Sequence, residues 1–538
     1  MMSLKSPHLL CNHSKHMKKI TSAFQNASTE EVRPPLNSAI VYPDQEVKTR
    51  NRFENSEKDN SYPLVPKNKY IKSHVSIGFS DLDSEINIDE LPVQGDLPNW
   101  LAGTLIRNGP AKFDLEKQSV NHWFDGLAML HRFSFENGKV SYVNKFIKSK
   151  SFKKSKQEGK IAYREFATDP CRSIFSKVSS MFSLHITDNA NVNISKLDEK
   201  FVALTETPIP IEFDPKTLET VGLVDYRDQL EGNLTTAHPH YDNTKDETFN
   251  YLTKFSRNSK YHIYRKQTGK DRTIVASIDV KEPSYMHSFG MTQNYLILTE
   301  FPLVINPVSM LLSGKPFIEN FKWKPEKGTK FTFIERSTGK VVGSYYSDPF
   351  FAFHHINAFE IGNKVIVDIV AYDDNSIINS LYLEQLRGNH TTTIPKSEYR
   401  RYTVDIPNNQ VSFEVVHDRL ELPRINYQFG MKNYSYLYAA GMDSVTNFTD
   451  RLIKINVQSK DFVTWSEKNC HPGEPIFVAR PGSNHEDDGV ILSVVLDSNK
   501  GRSFLLVLDA RSFKETARAL VPHHIPFGIH GQYYKSVE

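Results

Sequence analysis

Phe353-His-His-Ile-Asn-Ala-Phe-Glu360 runs through Ile361 into a Gly362-Asn363 turn and then into Lys364-Val-Ile-Val-Asp-Ile-Val-Ala-Tyr372-Asp-Asp374. The β-branched run from Val365 to Val370, set behind a glycine-containing turn, reads as a strand of a hairpin. Side chains alternate faces along a strand, so His354 and His355 face opposite sides and only one of them can serve a given site. An imidazole in that position is either a metal ligand or a hydrogen-bonded core residue.

The same texture extends outward from this hairpin. Short apolar or alternating runs, broken by Gly, Asn, Asp and Pro, begin near His74 and continue to the C-terminus. Phe201 to Glu206, Tyr295 to Glu300, Val490 to Leu496 and Phe504 to Leu508 read as strands, with hairpin turns at Asn137-Gly138 and Asp497 to Gly501. Helical periodicity is scarce. The fold class is therefore all-β, and so many short strands are closed most naturally as a propeller of four-stranded blades. No repeat motif sets the blade number.

The 538 residues carry 66 basic and 63 acidic side chains, a net charge of +3. Such a balance argues against a nucleic-acid partner. Cys11, Cys171 and Cys470 are widely separated and form no CxxC pair, as expected of a reducing, cytoplasmic compartment. Asn-x-Ser/Thr matches such as Asn447-Phe-Thr are then chance sequons. No apolar run approaches the roughly 18 to 20 residues of a membrane span, so the chain is expected to be soluble or to lie peripherally on a membrane.

Residues 1–75 read as a flexible leader, with a mixed charge run from Glu46 to Ser61. Before Glu30 there is no acidic residue, while Lys5, Lys15, Lys18 and Lys19 are present, a composition that both a disordered tail and a mitochondrial presequence tolerate. Residues 76–538 read as one catalytic domain. Within it, Ile174, Phe175, Val178, Met181 and Phe182 fall on one helical face. That helix is either packed on the domain or dips into a bilayer interface. Phe301 to Leu312 could extend the same apolar patch, and Cys171 is either a buried thiol or an acylation site.

Three histidines besides His354 stand in definite, turn-rich settings: His238 in Thr-Ala-His-Pro-His, His287 in Ser-Tyr-Met-His-Ser-Phe-Gly, and His530 in Pro-Phe-Gly-Ile-His-Gly. They are too far apart for a local metal motif such as HExxH. Any centre that they form is assembled by topology.

Gly-Asp-Leu-Pro-Asn-Trp-Leu-Ala-Gly-Thr-Leu-Ile-Arg-Asn-Gly-Pro (95–110), Asn-His-Trp-Phe-Asp-Gly (121–126), Thr-Glu-Thr (205–207), Ala-His-Pro-His, His-Ser-Phe-Gly-Met-Thr, Phe-His-His-Ile-Asn, Glu-Pro-Ile-Phe-Val (474–478), Glu-Asp-Asp-Gly and Phe-Gly-Ile-His-Gly occur in that order. In this series the chain resembles the carotenoid cleavage oxygenase family, in its animal branch of carotenoid dioxygenases and a retinoid isomerohydrolase. The resemblance implies a seven-bladed propeller under a dome of loops and helices, with one iron(II) held by His238, His287, His354 and His530. His240 and His355 are then neighbours on the wrong face. Glu206, Glu421 and Glu474 are implied as acceptors for the distal N–H of ligand imidazoles. Thr205 and Tyr372 are implied on the substrate tunnel, and Cys171, Phe175 and Phe182 beside a membrane-facing entrance. Tyr372 stands where the retinoid isomerase has a tryptophan.

Four neutral imidazoles leave iron(II) its full charge and room for dioxygen, which suits cleavage of a polyene double bond to two aldehydes, while aromatic faces favour cationic character on the polyene. The expected function is oxidative cleavage of a carotenoid such as β-carotene, central in preference to eccentric. Two alternatives stand beside it: an isomerohydrolase using the metal as a Lewis acid on a retinyl ester, and a non-catalytic propeller that binds lipids or proteins.

Overall fold

The computed structural model describes residues 74–169, 187–388, 393–443 and 448–537. Cys171, Phe175 and Phe182 lie outside these residues, as does nearly all of the leader expected over 1–75.

Seven antiparallel sheets of at least four strands follow one another along the chain and make a seven-bladed propeller. Central blades are simple meanders, because short turns join strands that already alternate apolar and polar faces. The fifth blade carries Phe351–Ile361, Lys364–Tyr372, Ser397–Asp405 and Gln410–Asp418 in sequence order. Lys364–Tyr372 is buried along all but its first residue, which accounts for its unbroken apolar run.

The ring is closed by exchange at both ends. Gly531–Tyr534, near the C-terminus, pairs with Gly103–Lys112 of the first blade, and Val93–Gly95, near the start of the described chain, pairs with Glu515–Leu520 of the seventh. Each junction converts a sheet edge into a hydrogen-bonded ladder.

The hairpins expected from the sequence are present. Asn137 and Gly138 both have positive φ, 51° and 73°, as a two-residue hairpin turn requires. Tyr295–Glu300 forms with the expected bounds. The strand expected over Phe201 to Glu206 instead covers Lys200–Leu204, so Thr205 and Glu206 leave the ladder. Several helices went unread, the longest of them Lys150–Glu158. It is capped by the Ser149 side chain and ended by Gly159 at φ 68°, but its residues are mostly polar and give no apolar stripe. Among the described residues no helix is long and apolar enough to cross a membrane.

Segments that leave the blades pack over the ring. Helices Ser376–Ser380 and Leu383–Arg387 contribute Ile377, Ile378, Leu383 and Leu386 to the largest apolar cluster, which also holds Trp123, Tyr285, Phe353 and Tyr372. His122 donates from Nε2 toward Ile378 O at 3.0 Å and accepts the Phe124 N–H at Nδ1.

Burial holds His122 and His355 down at about 3 and His524 at about 4, and it also lowers His131. The stability that each contributes is complete above the unfolded value, about 6.5, and is lost as pH falls toward the folded value. Burial raises Asp125 to about 7 and lifts Glu165 as well, and these two act in the opposite sense. The histidines outnumber them, so denaturation of the metal-free chain should show a lower urea midpoint at about pH 4.5 than at about pH 7.5. An unchanged midpoint would contradict the burial argument.

Candidate metal centre

Each of the four singled-out histidines is carried at or beside a short or leading strand of a different blade. His238 follows Leu234–Thr235 of the third blade, and His287 precedes Gly290–Met291 of the fourth. His354 lies within Phe351–Ile361 of the fifth, and His530 immediately precedes Gly531–Tyr534 of the first. Their ligand-capable nitrogens all lie within 4.8 Å of one another. His238 Nε2 is 3.1 Å from His287 Nε2, and His354 Nε2 is 3.1 Å from His530 Nε2.

Three carboxylates turn these rings inward. His287 Nδ1 donates to Glu206 Oε1 at 2.7 Å, His354 Nδ1 to Glu421 Oε2 at 2.6 Å, and His530 Nδ1 to Glu474 Oε1 at 2.8 Å. A ring whose Nδ1–H is given to a carboxylate presents a bare lone pair at Nε2. Three such lone pairs therefore face the same small space without protons of their own to share. A cation satisfies that arrangement, and the donor set fits a transition metal that prefers nitrogen ligands. His238 is the least enclosed of the four; its backbone N–H donates to Thr236 Oγ1 at 3.0 Å, and among the described residues no carboxylate accepts from its ring. Burial pushes His238 well below its ordinary value, and His530, His287 and His354 push in the same direction.

The adjacent histidines do diverge. His355 Nδ1 lies 2.8 Å from Ser288 Oγ and its Nε2 lies 2.8 Å from Thr299 Oγ1, away from the other four rings. Register shifts on both sides of His355 show that the strand bulges here, which re-aims both side chains. His240 is turned to Phe289 O at 2.7 Å.

The three glutamates have unequal surroundings. Tyr285 OH donates to Glu206 Oε1 at 2.8 Å, and Tyr372 OH donates to Glu421 Oε1 at 3.0 Å. Glu421 also accepts the Leu422 N–H at 2.7 Å, with Leu422 at φ 53°, a strained setting for a bulky side chain. Glu474 is 1% exposed and clamped by two guanidiniums: Arg424 Nε donates to Oε1 at 2.8 Å and Arg107 Nη1 donates to Oε2. Gly531 N donates to the same Oε2 at 3.0 Å. Burial alone would raise the Glu474 carboxyl, yet Arg424, His530 and Arg107 hold it well below the usual range. Burial draws His530 down to about 3 against the opposing pull of Glu474.

Sequence reasoning missed Arg107, Arg424 and Tyr285 as partners of the centre. Their signal was present, since Arg107 and Tyr285 lie inside the motifs Leu-Ile-Arg-Asn-Gly-Pro and Ser-Tyr-Met-His, and Arg424 stands three residues after Glu421. Gly109 of the first of these also matters, because a Cβ there would sit 2.5 Å from Gly528 Cα, two residues before His530.

A cavity opens beside the centre, lined by His287, His354, Glu206 and Glu421 together with Thr205 and Tyr372. Its wall is mainly aromatic and aliphatic, including Phe124, Phe166, Phe353 and Phe448. The structure thus brings Thr205 and Tyr372 to the same cavity, whereas it leaves the entrance residues Cys171, Phe175 and Phe182 undescribed.

A propeller that gathers imidazoles from four blades into one group able to hold a metal, beside an apolar cavity, has the layout of an enzyme site. The chain belongs to the family described as retinal pigment epithelial membrane protein, a family of carotenoid oxygenases, which matches residues 79–535. It is 35% identical over 499 residues to the beta,beta-carotene 15,15'-dioxygenase of Gallus gallus, covering 82% of this chain and 94% of that protein. Over 509 residues it is 36% identical to the mitochondrial carotenoid-cleaving dioxygenase of Macaca fascicularis, covering 82% and 91%. Among solved structures, the cobalt-substituted apocarotenoid oxygenase of Synechocystis is similar with a TM-score of 0.78 at 26% identity, covering 86% of this chain and 99% of that one.

Replacing His238, His287, His354 or His530 singly by Ala should abolish stoichiometric metal binding, whereas His240→Ala and His355→Ala should keep it. Metal analysis of the six purified variants checks this. A metal-free His355→Ala beside a metal-loaded His354→Ala would reverse the assignment.

Proposed function

We propose that residues 76–538 form the catalytic propeller of a carotenoid dioxygenase, in which His238, His287, His354 and His530 hold one iron(II). The observation that carries this reading is the set of inward-facing imidazoles, three of them backed by carboxylates, at the end of an apolar cavity. Iron(II), when bound, supplies the binding and activation of dioxygen.

The chain's own residues do the rest. Glu206, Glu421 and Glu474 keep three rings in the Nδ1–H tautomer and so keep the centre ready for a metal. Tyr372 and Tyr285 hold the carboxylates of Glu421 and Glu206 in place by donating to their other lone pairs. Phe353, which lines the cavity, stacks edge-on to His287 with ring centroids 5.4 Å apart. Such faces stabilise positive charge developing along a polyene and exclude water from it.

Relatives named for 15,15' cleavage and for carotenoid cleavage without a stated bond stand at 35% and 36% identity, so the bond is read from the product. Purified, iron-loaded protein given β-carotene under labelled dioxygen should yield two molecules of retinal with label in both, trapped by rapid reduction before exchange with water. A long apocarotenal would move the cut off centre. Unlabelled retinol isomer formed from a retinyl ester, without polyene cleavage, would overturn the dioxygenase reading in favour of an isomerohydrolase.

We also propose a peripheral membrane contact next to the cavity, since carotenoids reside in bilayers. Pro307–Ser313 is a short helix capped by Asn306, with Met310 on the cavity wall and Val308 53% exposed. Burial of a Val side chain is worth about 1.5 kcal/mol. Val308→Asp should accordingly lower liposome flotation by about tenfold or more while leaving iron content intact. Flotation equal to that of the parent would place the membrane contact elsewhere.

A further inference from the structure

One wall of the cavity is more polar than a hydrocarbon substrate requires. Glu165, Thr187, Asn189 and Thr207 all line it. Most donors on this wall point at the protein. Thr207 Oγ1 donates to Thr187 O at 2.8 Å, Asn189 Nδ2 donates to Gly126 O at 3.0 Å, and Thr187 Oγ1 donates to Glu165 Oε1 at 2.7 Å. The neighbouring Arg164 is turned to Asp169, its Nε and Nη2 at 2.8 and 3.3 Å from the two carboxylate oxygens.

Glu165 stands apart. It is 5% exposed, and burial lifts its carboxyl well above the ordinary range against hydrogen bonds from Thr187 and Asn189, with Asp125 and Asp188 adding to the rise. Among the described residues no cation pairs with it, and burial without an ion pair favours the uncharged acid. Its Oε1 accepts from Thr187, which favours carbonyl character there and the proton on the other oxygen. Accepting from Thr187 and Asn189 needs only carbonyl-type oxygens; a carboxylic acid adds an O–H donor, at a residue that lines the cavity.

We propose that Glu165 is a specificity-determining residue, donating a hydrogen bond from its carboxyl O–H to a hydroxyl or carbonyl oxygen carried by the polyene. This rests on the cleavage reading above and goes beyond it. A hydrocarbon offers no acceptor, so a buried donor facing it forfeits a hydrogen bond that an oxygen-bearing polyene restores. Sites of this kind discriminate through the polar group left without a partner. The oxygen has two sources: the end group of an uncut substrate, or the aldehyde of a product.

The test uses full-length, iron-loaded Glu165→Leu and Glu165→Gln. For each, kcat/KM is measured with β-carotene, with an apocarotenal and with a carotenoid diol, and retinal is assayed as a product inhibitor. Glu165→Leu should lose about tenfold for the oxygen-bearing polyenes relative to β-carotene, the size of one net hydrogen bond. Glu165→Gln, which keeps a donor at the same place, should retain most of the preference. A loss confined to the oxygenated substrates puts the contact at the uncut end, and one confined to retinal inhibition puts it on the product. Equal loss for β-carotene and the oxygenated polyenes, or no change, overturns the assignment. Binding of retinal and an apocarotenal to the metal-free parent and variants, followed by fluorescence quenching, reports the same contact without turnover. Failure of the parent to cleave any polyene would therefore count against the cleavage reading alone.

Discussion

Three imidazole lone pairs, held facing one another by carboxylates, are the constraint around which this propeller is arranged. The bare nitrogens of His354 and His530, 3.1 Å apart, repel unless a cation lies between them, and rotation to relieve the repulsion is blocked by the Nδ1–H bonds to Glu421 and Glu474. Two of the three carboxylate bonds join neighbouring blades, and the third, from His287 beside the fourth blade to Glu206 after a strand of the second, reaches past one. Glu421, at the start of the sixth blade, reaches back to His354 of the fifth, and Glu474 of the seventh reaches His530 beside the first. Strand exchange at both ends of the chain closes the same junction that Glu474 spans. Ring closure and the metal centre are thus one structural problem, and Arg107, on the strand that pairs with the C-terminal segment, serves both.

The centre is not electrically symmetric. Glu474 lies between two guanidiniums and does not line the cavity, whereas Glu206 and Glu421, which do line it, accept from neutral donors besides their imidazoles: Tyr285 OH for Glu206, and Tyr372 OH and the Leu422 N–H for Glu421. Negative charge is concentrated where a polyene would lie and is cancelled on the far side. In an enclosure of low polarity that bias is weakly screened. It complements the aromatic wall, which also favours positive charge in the cavity.

Burial has a cost that the structure makes visible. Asp125, Glu165 and several histidines are enclosed with their charged forms disfavoured, and each is hydrogen-bonded rather than ion-paired. These groups tie the segments above the ring to the blades. Asp125 accepts from Ala167 N and Thr168 Oγ1 at 3.0 and 2.6 Å, fixing the stretch that carries Glu165 to the cavity wall.

The sequence by itself determined what depends on local periodicity. Alternating and β-branched runs specified an all-β chain, Asn137-Gly138 specified its hairpin, and the adjacent His354 and His355 had to diverge because consecutive side chains on a strand do. Blade number and ligand set were legible only through ordered motifs shared with a family. Tertiary structure decided the rest. Glu206 leaves its strand because His287 and Tyr285, from another blade, draw its carboxylate away; a helix of polar residues forms where caps replace an apolar stripe; and Arg107 and Arg424 meet at Glu474 from remote positions. No window of sequence contains these contacts, because they arise when distant strands are brought together by closure of the ring, and side-chain chemistry within one strand carries no information about which strand will lie across the axis.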